Sequence, residues 1–345
     1  MHMADALLSP AVGATFWAGT AGTLGYCARR LKEEIDERMI PLMGVLGAFI
    51  FAAQMINFTI PGTGASGHLA GGMILAVILG PYAGFVVMAS VLTVQAFFFA
   101  DGGLLALGCN IWNLGVYPCF IAYPLIYRPL VRGGAMPKRI TMAAMVSGVV
   151  ALQLGAFSVV IETLLSGRSE LPFGTFVFMM QPIHLGIGIV EGFVTAGVIN
   201  FIRSSRPEIL ESAASSRPLA ADTSLTKVFA VLLAGALLAG GALSWYASSH
   251  PDGLEWSVAG VFGKPELPER ETGIAQPLKS VQEKTAFLPD YDFRQTGPGE
   301  EGQAVRRWPA VEAGRSVAGI VGSVMVLVAV LLIGFAIRAV RRRST

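Results

Sequence analysis

Charged residues are scarce in this chain. Of its 345 residues only 14% are Asp, Glu, Lys or Arg, while 53% are hydrophobic. Soluble globular domains usually carry about 25% charged residues. The deficit falls in long apolar runs, and runs of about 20 apolar residues are typical of membrane-spanning helices. The composition therefore excludes an ordinary soluble protein. We expect a lipid bilayer around the chain and no nucleic-acid partner.

Several common chemical motifs are missing. The three cysteines, Cys27, Cys109 and Cys119, lie in apolar runs and form no CxxC pair, so we interpret them as core packing. The segment Gly260–Lys264 lacks the spacing and the Ser or Thr of a G-x-x-x-x-G-K-[ST] phosphate loop. No Lys or Arg precedes the first apolar run, where Asp5 stands instead. A signal peptide is therefore not indicated, and we expect the first residues to remain in the mature protein.

The apolar runs predict an all-α, polytopic membrane helix bundle of about nine spans. Breaks at Gly, Pro and charged residues set the boundaries, and the third run is short enough to be a half-helix. The expected spans are 11–29, 40–58, 68–80, 83–100, 104–127, 139–165, 180–203, 226–247 and 316–337.

The distribution of Lys and Arg predicts the orientation. With the N-terminus outside, 16 of the 25 basic residues fall in inside segments. The short outside loops between the first seven spans contain Arg168 alone, and the long segment 248–315 is discounted by the positive-inside rule. We therefore expect the N-terminus outside and the C-terminus inside, in the cell inner (plasma) membrane.

Composition divides the chain into three parts. Residues 1–203 are predicted to form a compact seven-span core, and residues 204–225, rich in Ser, Ala, Pro and Arg, a cytoplasmic linker. Residues 226–345 are predicted to form a two-span hairpin around the outside segment 248–315. This segment is rich in Pro, Glu and Gly, so we expect it to be loosely structured.

The first two residues, Met1 and His2, have the chemistry of a metal chelate. The Met1 amine and the His2 amide nitrogen can close a five-membered ring on a metal, and the His2 amide and its own Nδ1 can close a six-membered ring. Three nitrogens then lie in one plane. A fourth nitrogen would complete a square, which selects Ni(II) or Cu(II), whereas zinc prefers a tetrahedron.

His68 is the first candidate for the fourth nitrogen. It follows the glycine-rich loop 61–67, which lies on the same outer side as Met1 in the predicted topology. Irregular backbone at membrane depth is tolerated where it is buried in protein or lines a cavity. His184, near the outer end of a span, and His250, at the start of the outside segment, remain alternatives.

A ligating histidine usually has its second ring nitrogen held by an acceptor. Candidates near the outer span ends are Asn57, Gln95, Asp101, Asn110 and His184. The first four could equally satisfy backbone groups at a helix end, and His184 could instead be a packing residue. Glu191 falls near the middle of its span, and an intramembrane carboxylate is costly and therefore functional by default.

Several motifs in order resemble the CbiM/NikM family, the substrate-binding membrane subunits of energy-coupling-factor transporters for nickel and cobalt. The similarity covers about residues 1–203, and the outside segment resembles the two-span PDGLE companion subunit of these systems, here fused in one chain. The motifs are Met1-His2-Met3 with Leu8-Ser9-Pro10, Phe51 to Phe58, Ser66 to Gly72, Gln95-Ala96, Asp101 to Leu104, Ala106 to Gly108 with Asn110, and Pro251-Asp252-Gly253-Leu254-Glu255.

The resemblance implies a transport subunit and not an enzyme. Its cargo would be Ni(II), with Co(II) as the alternative, held by Met1, His2 and His68 without any further cofactor. A transmembrane coupling subunit and cytoplasmic ATPase subunits would be its partners. Two departures from the family pattern, Ala6 for Gly and Ala65 for Thr, replace no ligand. A stand-alone metal/proton exchanger and a membrane metalloenzyme are the competing hypotheses.

Overall fold

The computed structural model describes residues 2–34, 36–132, 136–168, 170–215, 218–219, 223–265, 267–268, 273–294, 309 and 311–342. Helices dominate the described chain, with one small two-stranded sheet. Met1, the expected amine ligand, lies outside the described residues.

The core begins with a short turn at Asp5–Leu7 and continues through helices numbered here in chain order. A two-stranded antiparallel sheet, β1 (Phe58–Ile60) and β2 (Ala65–Gly67), interrupts them and carries the glycine-rich loop. The core helices are α1 (Pro10–Glu34), α2 (Met39–Gln54), α3 (Gly72–Leu79), α4 (Pro81–Phe99), α5 (Leu107–Val131), α6 (Pro137–Leu165) and α7 (Phe173–Ser205).

The remaining helices belong to the predicted linker and hairpin. They are α8 (Pro207–Ser215), α9 (Thr226–Gly241), α10 (Gly253–Phe262), α11 (Ala275–Thr285) and α12 (Ala313–Arg342). Within the described residues, α10 and α11 give the outside segment regular structure. The expectation that this segment is loosely structured was therefore wrong for α10 and α11. The cause is tertiary, because α10 packs on α7 and α11 packs on the end of α4.

Five described helices, α4, α5, α6, α7 and α12, are long and apolar enough to cross a membrane. Helices α2 and α9 are apolar but shorter. Helix α3 has only 8 residues, which span about 12 Å at the usual rise of about 1.5 Å per residue. It is too short to cross alone, as its run predicted. His68 lies before α3 and not within it, which corrects the expected start of the third span.

The hairpin lies against the core. Helix α12 packs along α2, where Gly322 faces the ring of Phe51 and Gly334 faces Ile40. Helix α9 crosses α12 at Gly240 and Gly319, where the absence of side chains lets the two backbones touch. The hairpin therefore forms one continuous helical bundle with the core. Its helices α10 and α11 pack on the core at the end that carries β1 and β2 and the C-terminus of α4.

The predicted inside segments meet at one end of the bundle. Asp36 accepts a hydrogen bond from the backbone N–H of Leu219 at 2.8 Å, and Arg342 pairs with Glu37 at 3.2 Å. Arg128 donates to the carbonyl of Ala214 at 3.1 Å. Helix α1 ends at Glu34, at this end of the bundle, and begins at Pro10, at the opposite end beside the N-terminal segment.

Candidate metal centre

Met3 is held by a side chain of α5 and by the backbone of the loop that precedes α5. Its backbone N–H donates to Oδ1 of Asn110 at 2.8 Å, and its carbonyl accepts from Nδ2 of the same Asn110 at 3.3 Å. The N–H of Gly103 donates to the Met3 carbonyl at 2.9 Å. Asn110 was a candidate to hold a ligating histidine. The structure shows it holding the backbone next to His2 instead.

A second set of contacts fixes the following residues of the N-terminal segment. The guanidinium of Arg168, buried from solvent, donates through Nε and Nη2 to the carbonyl of Ala6, with Nε at 2.6 Å. Asp5 accepts the backbone N–H of Ala106 at 2.9 Å. Arg168 served only as a topology marker in the sequence. Its position as the single basic residue of the short predicted outer loops was the available signal.

His2 lies buried beside Asp101, with only 7% of its side chain exposed. Its Nδ1 is 3.2 Å from Oδ1 of Asp101, while its buried Nε2 has no hydrogen-bond partner among the described residues. Burial lowers the pKa of His2, and the negative charge of Asp101 opposes that shift. The imidazole is therefore held neutral near pH 7, the form that binds metals.

His68 stacks on His2. The two ring centroids are 5.1 Å apart and the rings are inclined by 17°. Nδ1 of His68 lies 3.1 Å from the carbonyl of Leu69. An Nδ1–H that donates to this carbonyl leaves the lone pair on Nε2. Burial lowers the pKa of His68 well below the ordinary histidine value. Two neutral imidazoles thus lie in contact at the end of the core where the N-terminal segment lies.

The loop that carries His68 is fixed from inside the bundle by Glu191. Its Oε2 accepts the backbone N–H of Ala70 at 2.8 Å, and its Oε1 accepts that of Gly71 at 3.0 Å. Gly71 has φ 79°, a left-handed conformation that glycine adopts without a steric penalty. The intramembrane carboxylate is thus part of the site's framework.

Two glutamines continue this framework toward His2. Gln54 Nε2 donates to the carbonyl of Ala70 at 2.8 Å, and Gln54 Oε1 accepts from Gln95 Nε2 at 2.9 Å. Oε1 of Gln95 is buried and has no hydrogen-bond partner within the described part of the chain. Gln95 was proposed from the sequence as a support for a ligating histidine. The structure places its Oε1 at the end of the hydrogen-bonded series that runs from Ala70 through Gln54.

The PDGLE segment closes over the His68 loop. The N–H of Ser66 donates to the carbonyl of Pro251 at 2.8 Å, and the Ser66 hydroxyl donates to the carbonyl of His250 at 2.8 Å. Asp252 caps α10, because its Oδ1 accepts the N–H groups of Leu254 and Glu255. In the sequence, this segment is identified only by its resemblance to the PDGLE companion subunit. Asp followed by Glu three residues later was the capping signal available.

The other candidates lie around these two histidines. The backbone carbonyl of Asn57 accepts from Ser248 at 2.7 Å, and His250 is exposed. Nδ1 of His184 lies 2.8 Å from the carbonyl of Met180, while its buried Nε2 has no hydrogen-bond partner in the residues that the structure describes. His2, His68, Asp101, Asn57 and His250 line a cavity of about 490 Å³, whereas His184 does not.

Among the described residues, no three His, Cys, Asp or Glu side chains converge as a metal-binding group. The described cysteines are buried and unbridged. A metal held at His2 and His68 would therefore need ligands other than such side chains, and backbone nitrogen beside His2 is the donor that the sequence supplies.

Comparison with known proteins identifies the family of the chain. Residues 2–209 match the family described as the cobalt uptake substrate-specific transmembrane region, CbiM, and residues 226–339 match the PDGLE domain. The putative fused nickel transport protein NikMN of Archaeoglobus fulgidus is 34% identical over 344 residues, covering 100% of both chains. The fused nickel transport protein NikMN of Rhodobacter capsulatus is 34% identical over 223 residues, 61% of this chain and 64% of that protein.

Solved structures of transition metal transporters are similar to about three-fifths of this chain. A crystal structure of a transition metal transporter has a TM-score of 0.53 and 29% identity, covering 60% of this chain and 95% of that chain. A truncated form of a transition metal transporter gives 0.52 with 29% identity, covering 59% of this chain and 99% of that one. With its apolar helices and a PDGLE domain in the same polypeptide, the chain is a multi-pass membrane protein that belongs to the CbiM family of cobalt uptake substrate-specific transmembrane proteins.

Proposed function

We propose that the chain is the substrate-binding membrane component of an ATP-driven, energy-coupling-factor type importer for Ni(II). Its cargo is bound by the Met1 amine, the His2 amide nitrogen, Nδ1 of His2 and Nε2 of His68. Two relatives that match this chain are named fused nickel transport proteins, which supports nickel as the cargo. Others, including a cobalt transport protein CbiM of Geobacter sulfurreducens at 29% identity, keep cobalt as the alternative cargo.

The stacked, buried pair of His2 and His68 carries this proposal. Both imidazoles are neutral, and the clamps on Met3 and Ala6 keep the start of the chain next to the His68 loop. The chelate requires the His2 ring to turn about its Cβ–Cγ bond, because Nδ1 now faces Asp101. Deprotonation of the His2 amide, which Ni(II) and Cu(II) favour among the common divalent ions, would then complete a planar set of nitrogens.

The topology in this proposal has the N-terminus outside and about nine membrane crossings. The basic segments around Asp36, Arg128 and Arg342 meet at the end opposite the site, which supports this orientation. Ala14, Ala18 and Gly22 are exposed on one face of α1. Such a face of small residues suits close packing of a membrane coupling subunit. ATP hydrolysis belongs to cytoplasmic partner chains.

A stand-alone metal/proton exchanger is less well supported. That hypothesis relied on Glu191 and Asp101 as proton carriers. Both oxygens of Glu191 accept backbone N–H groups of the His68 loop, and Asp101 contacts His2. Their contacts favour a framework role for both carboxylates.

The decisive experiment places one alanine before Met1. We expect the extended chain to lose nickel binding, because the amine that closes the five-membered ring is moved away. Binding is measured on the purified full chain by calorimetry and by absorption, where a yellow, diamagnetic complex indicates square-planar nitrogen ligation.

The control is the same extended chain with a protease site, cleaved so that Met1 is again the first residue. Recovery of binding after cleavage would exclude a general defect of the preparation. Undiminished binding and an unchanged spectrum in the extended chain would overturn the terminal chelate.

A further inference from the structure

Tyr291 belongs to the fused hairpin, yet its hydroxyl reaches the metal centre. It donates a hydrogen bond to Oδ2 of Asp101 at 2.5 Å, and the other carboxylate oxygen, Oδ1, lies 3.2 Å from Nδ1 of His2. Asp101 therefore stands between a residue 190 positions away in the chain and the first histidine.

The segment before Tyr291 is anchored to the core by its own hydrogen bonds. Gln282 Nε2 donates to the carbonyls of Ala96 at 2.9 Å and Gly102 at 2.7 Å. The Thr285 hydroxyl donates to the carbonyl of Phe97 at 2.7 Å. These carbonyls belong to the C-terminal end of α4 and to the loop that follows it, on both sides of Asp101. Helix α11 thus fixes the place from which Tyr291 approaches.

The ring of Tyr291 is held as firmly as its hydroxyl. It stacks on Phe99 with centroids 5.1 Å apart and an inclination of 19°, and it packs edge-on against Phe51. Its backbone has φ 62° and that of Asp290 has φ 52°, so two successive non-glycine residues adopt the left-handed region. Such conformations are strained and persist where surrounding contacts impose them. Here those contacts direct the hydroxyl at Asp101.

A carboxylate that accepts an imidazole N–H fixes the ring and increases its basicity toward a metal. With Oδ2 occupied by the Tyr291 hydroxyl, the carboxylate cannot rotate freely, and Oδ1 remains directed at His2. When the ring turns to bring Nδ1 to a metal, its edge bearing Nε2–H moves to the Asp101 side. The same carboxylate can then accept that proton donor.

We propose that Tyr291 is a positioning residue for nickel binding: by fixing the Asp101 carboxylate, it orients the His2 imidazole in the chelate. The fused hairpin thereby contributes a side chain to the support of the binding site. This inference rests on the proposed function.

The test uses Tyr291→Phe, Asp101→Asn and the double variant in the full chain. Removing a support of this kind typically costs about 10-fold or more in metal affinity. We expect Tyr291→Phe to weaken nickel binding by about 10-fold and to shift the ligand-field absorption band, because the planar ligand set is less well aligned. The double variant should bind no more weakly than Asp101→Asn alone, since the tyrosine acts only through that carboxylate.

The matched control is Tyr246→Phe, which removes the hydroxyl of a tyrosine of the same hairpin that is 52% exposed. It should leave affinity and spectrum unchanged. The melting temperature of each variant without nickel reports any general loss of docking. Unchanged nickel binding by Tyr291→Phe would overturn the positioning role. So would a loss of affinity in Tyr291→Phe that leaves the absorption band unmoved and adds in full to the loss caused by Asp101→Asn in the double variant.

Failure of the two proposals is distinguishable. If the unaltered chain binds nickel and loses it on extension before Met1, while Tyr291→Phe binds normally, only the role of Tyr291 is wrong. If the unaltered chain does not bind nickel, the proposed function itself is wrong.

Discussion

At the scale of single residues, the candidate centre depends on side chains that hold backbone in place. Asn110 holds Met3, Arg168 holds Ala6 and Glu191 holds Ala70 and Gly71. A buried carboxylate is costly unless hydrogen bonds compensate it, and the two N–H groups of the His68 loop provide that compensation for Glu191. In the proposed function, the cargo's ligands are therefore positioned by polar groups that themselves need not touch the metal.

Glu191→Gln tests this arrangement at one atom. The amide keeps one oxygen for one N–H but sets an NH₂ group against the other, leaving a buried donor without an acceptor. An unsatisfied buried group costs about 1–3 kcal/mol, so we expect lower thermal stability and weaker nickel binding. Glu208→Gln, on the exposed surface of α8, is the control. Normal binding and stability of Glu191→Gln would argue that the carboxylate does not hold the loop.

At the scale of elements, α10 shows how a short helix contributes to the site. Asp252 and Glu255 form a capping box at its N-terminus, and the residues before it pair with Ser66 in β2. Gly253 faces His184 and Ile187 of α7, and a Cβ there would approach Ile183 at 2.7 Å. The helix therefore begins where the His68 loop and α7 meet. Its capping residue Asp252 directly follows His250 and Pro251, whose carbonyls accept hydrogen bonds from Ser66.

Asp252→Ala should loosen the start of α10. Loss of an N-cap acceptor usually costs about 0.5–2 kcal/mol, and the freed N–H groups of Leu254 and Glu255 should exchange with deuterium faster. Hydrogen exchange measured by mass spectrometry on the full chain checks this expectation. Asp252→Asn, which keeps a capping oxygen, should retain most of the protection. Equal exchange in the alanine variant and the unaltered chain would contradict the capping role.

At the scale of the whole molecule, the chain has a basic end and a histidine end. Arg128 and Arg342 lie with Asp36 and Glu37 at one end, while the pair of His2 and His68 lies at the other. Because short basic loops stay on the cytoplasmic side, this division predicts capture from outside. In the proposed function, the two ends separate cargo binding from the cytoplasmic side, where ATP is available.

Labelling of single cysteines tests that orientation. Ser249→Cys beside the site should react with a membrane-impermeant maleimide in intact cells, because its position is exposed on the predicted outer side. Ser204→Cys, exposed at the other end of α7, should react only after the membrane is permeabilised. The native cysteines are buried and provide the unlabelled background. The reverse pattern would place the N-terminus inside.

Much of the membrane architecture was accessible from periodicity and composition. The apolar runs predicted α4, α5, α6, α7 and α12, because a helix that meets lipid must be apolar over its full length. The outside segment was less accessible. Its polar residues give no strong local preference, and α11 is stabilised through contacts of Gln282 and Thr285 with carbonyls at the end of α4. Such contacts depend on residues nearly 200 positions distant.

The chemical donors can be identified from the amino-acid sequence: an imidazole at His2, another at His68 after a glycine-rich loop, and a carboxylate at Asp101. Which of these donors lie close together depends on how the chain folds. The tertiary structure stacks the two imidazoles, sets Asp101 against His2 and brings Tyr291 to Asp101. The reason is physical, since the type of donor is a local property of a side chain, whereas distance between donors depends on how the helices pack.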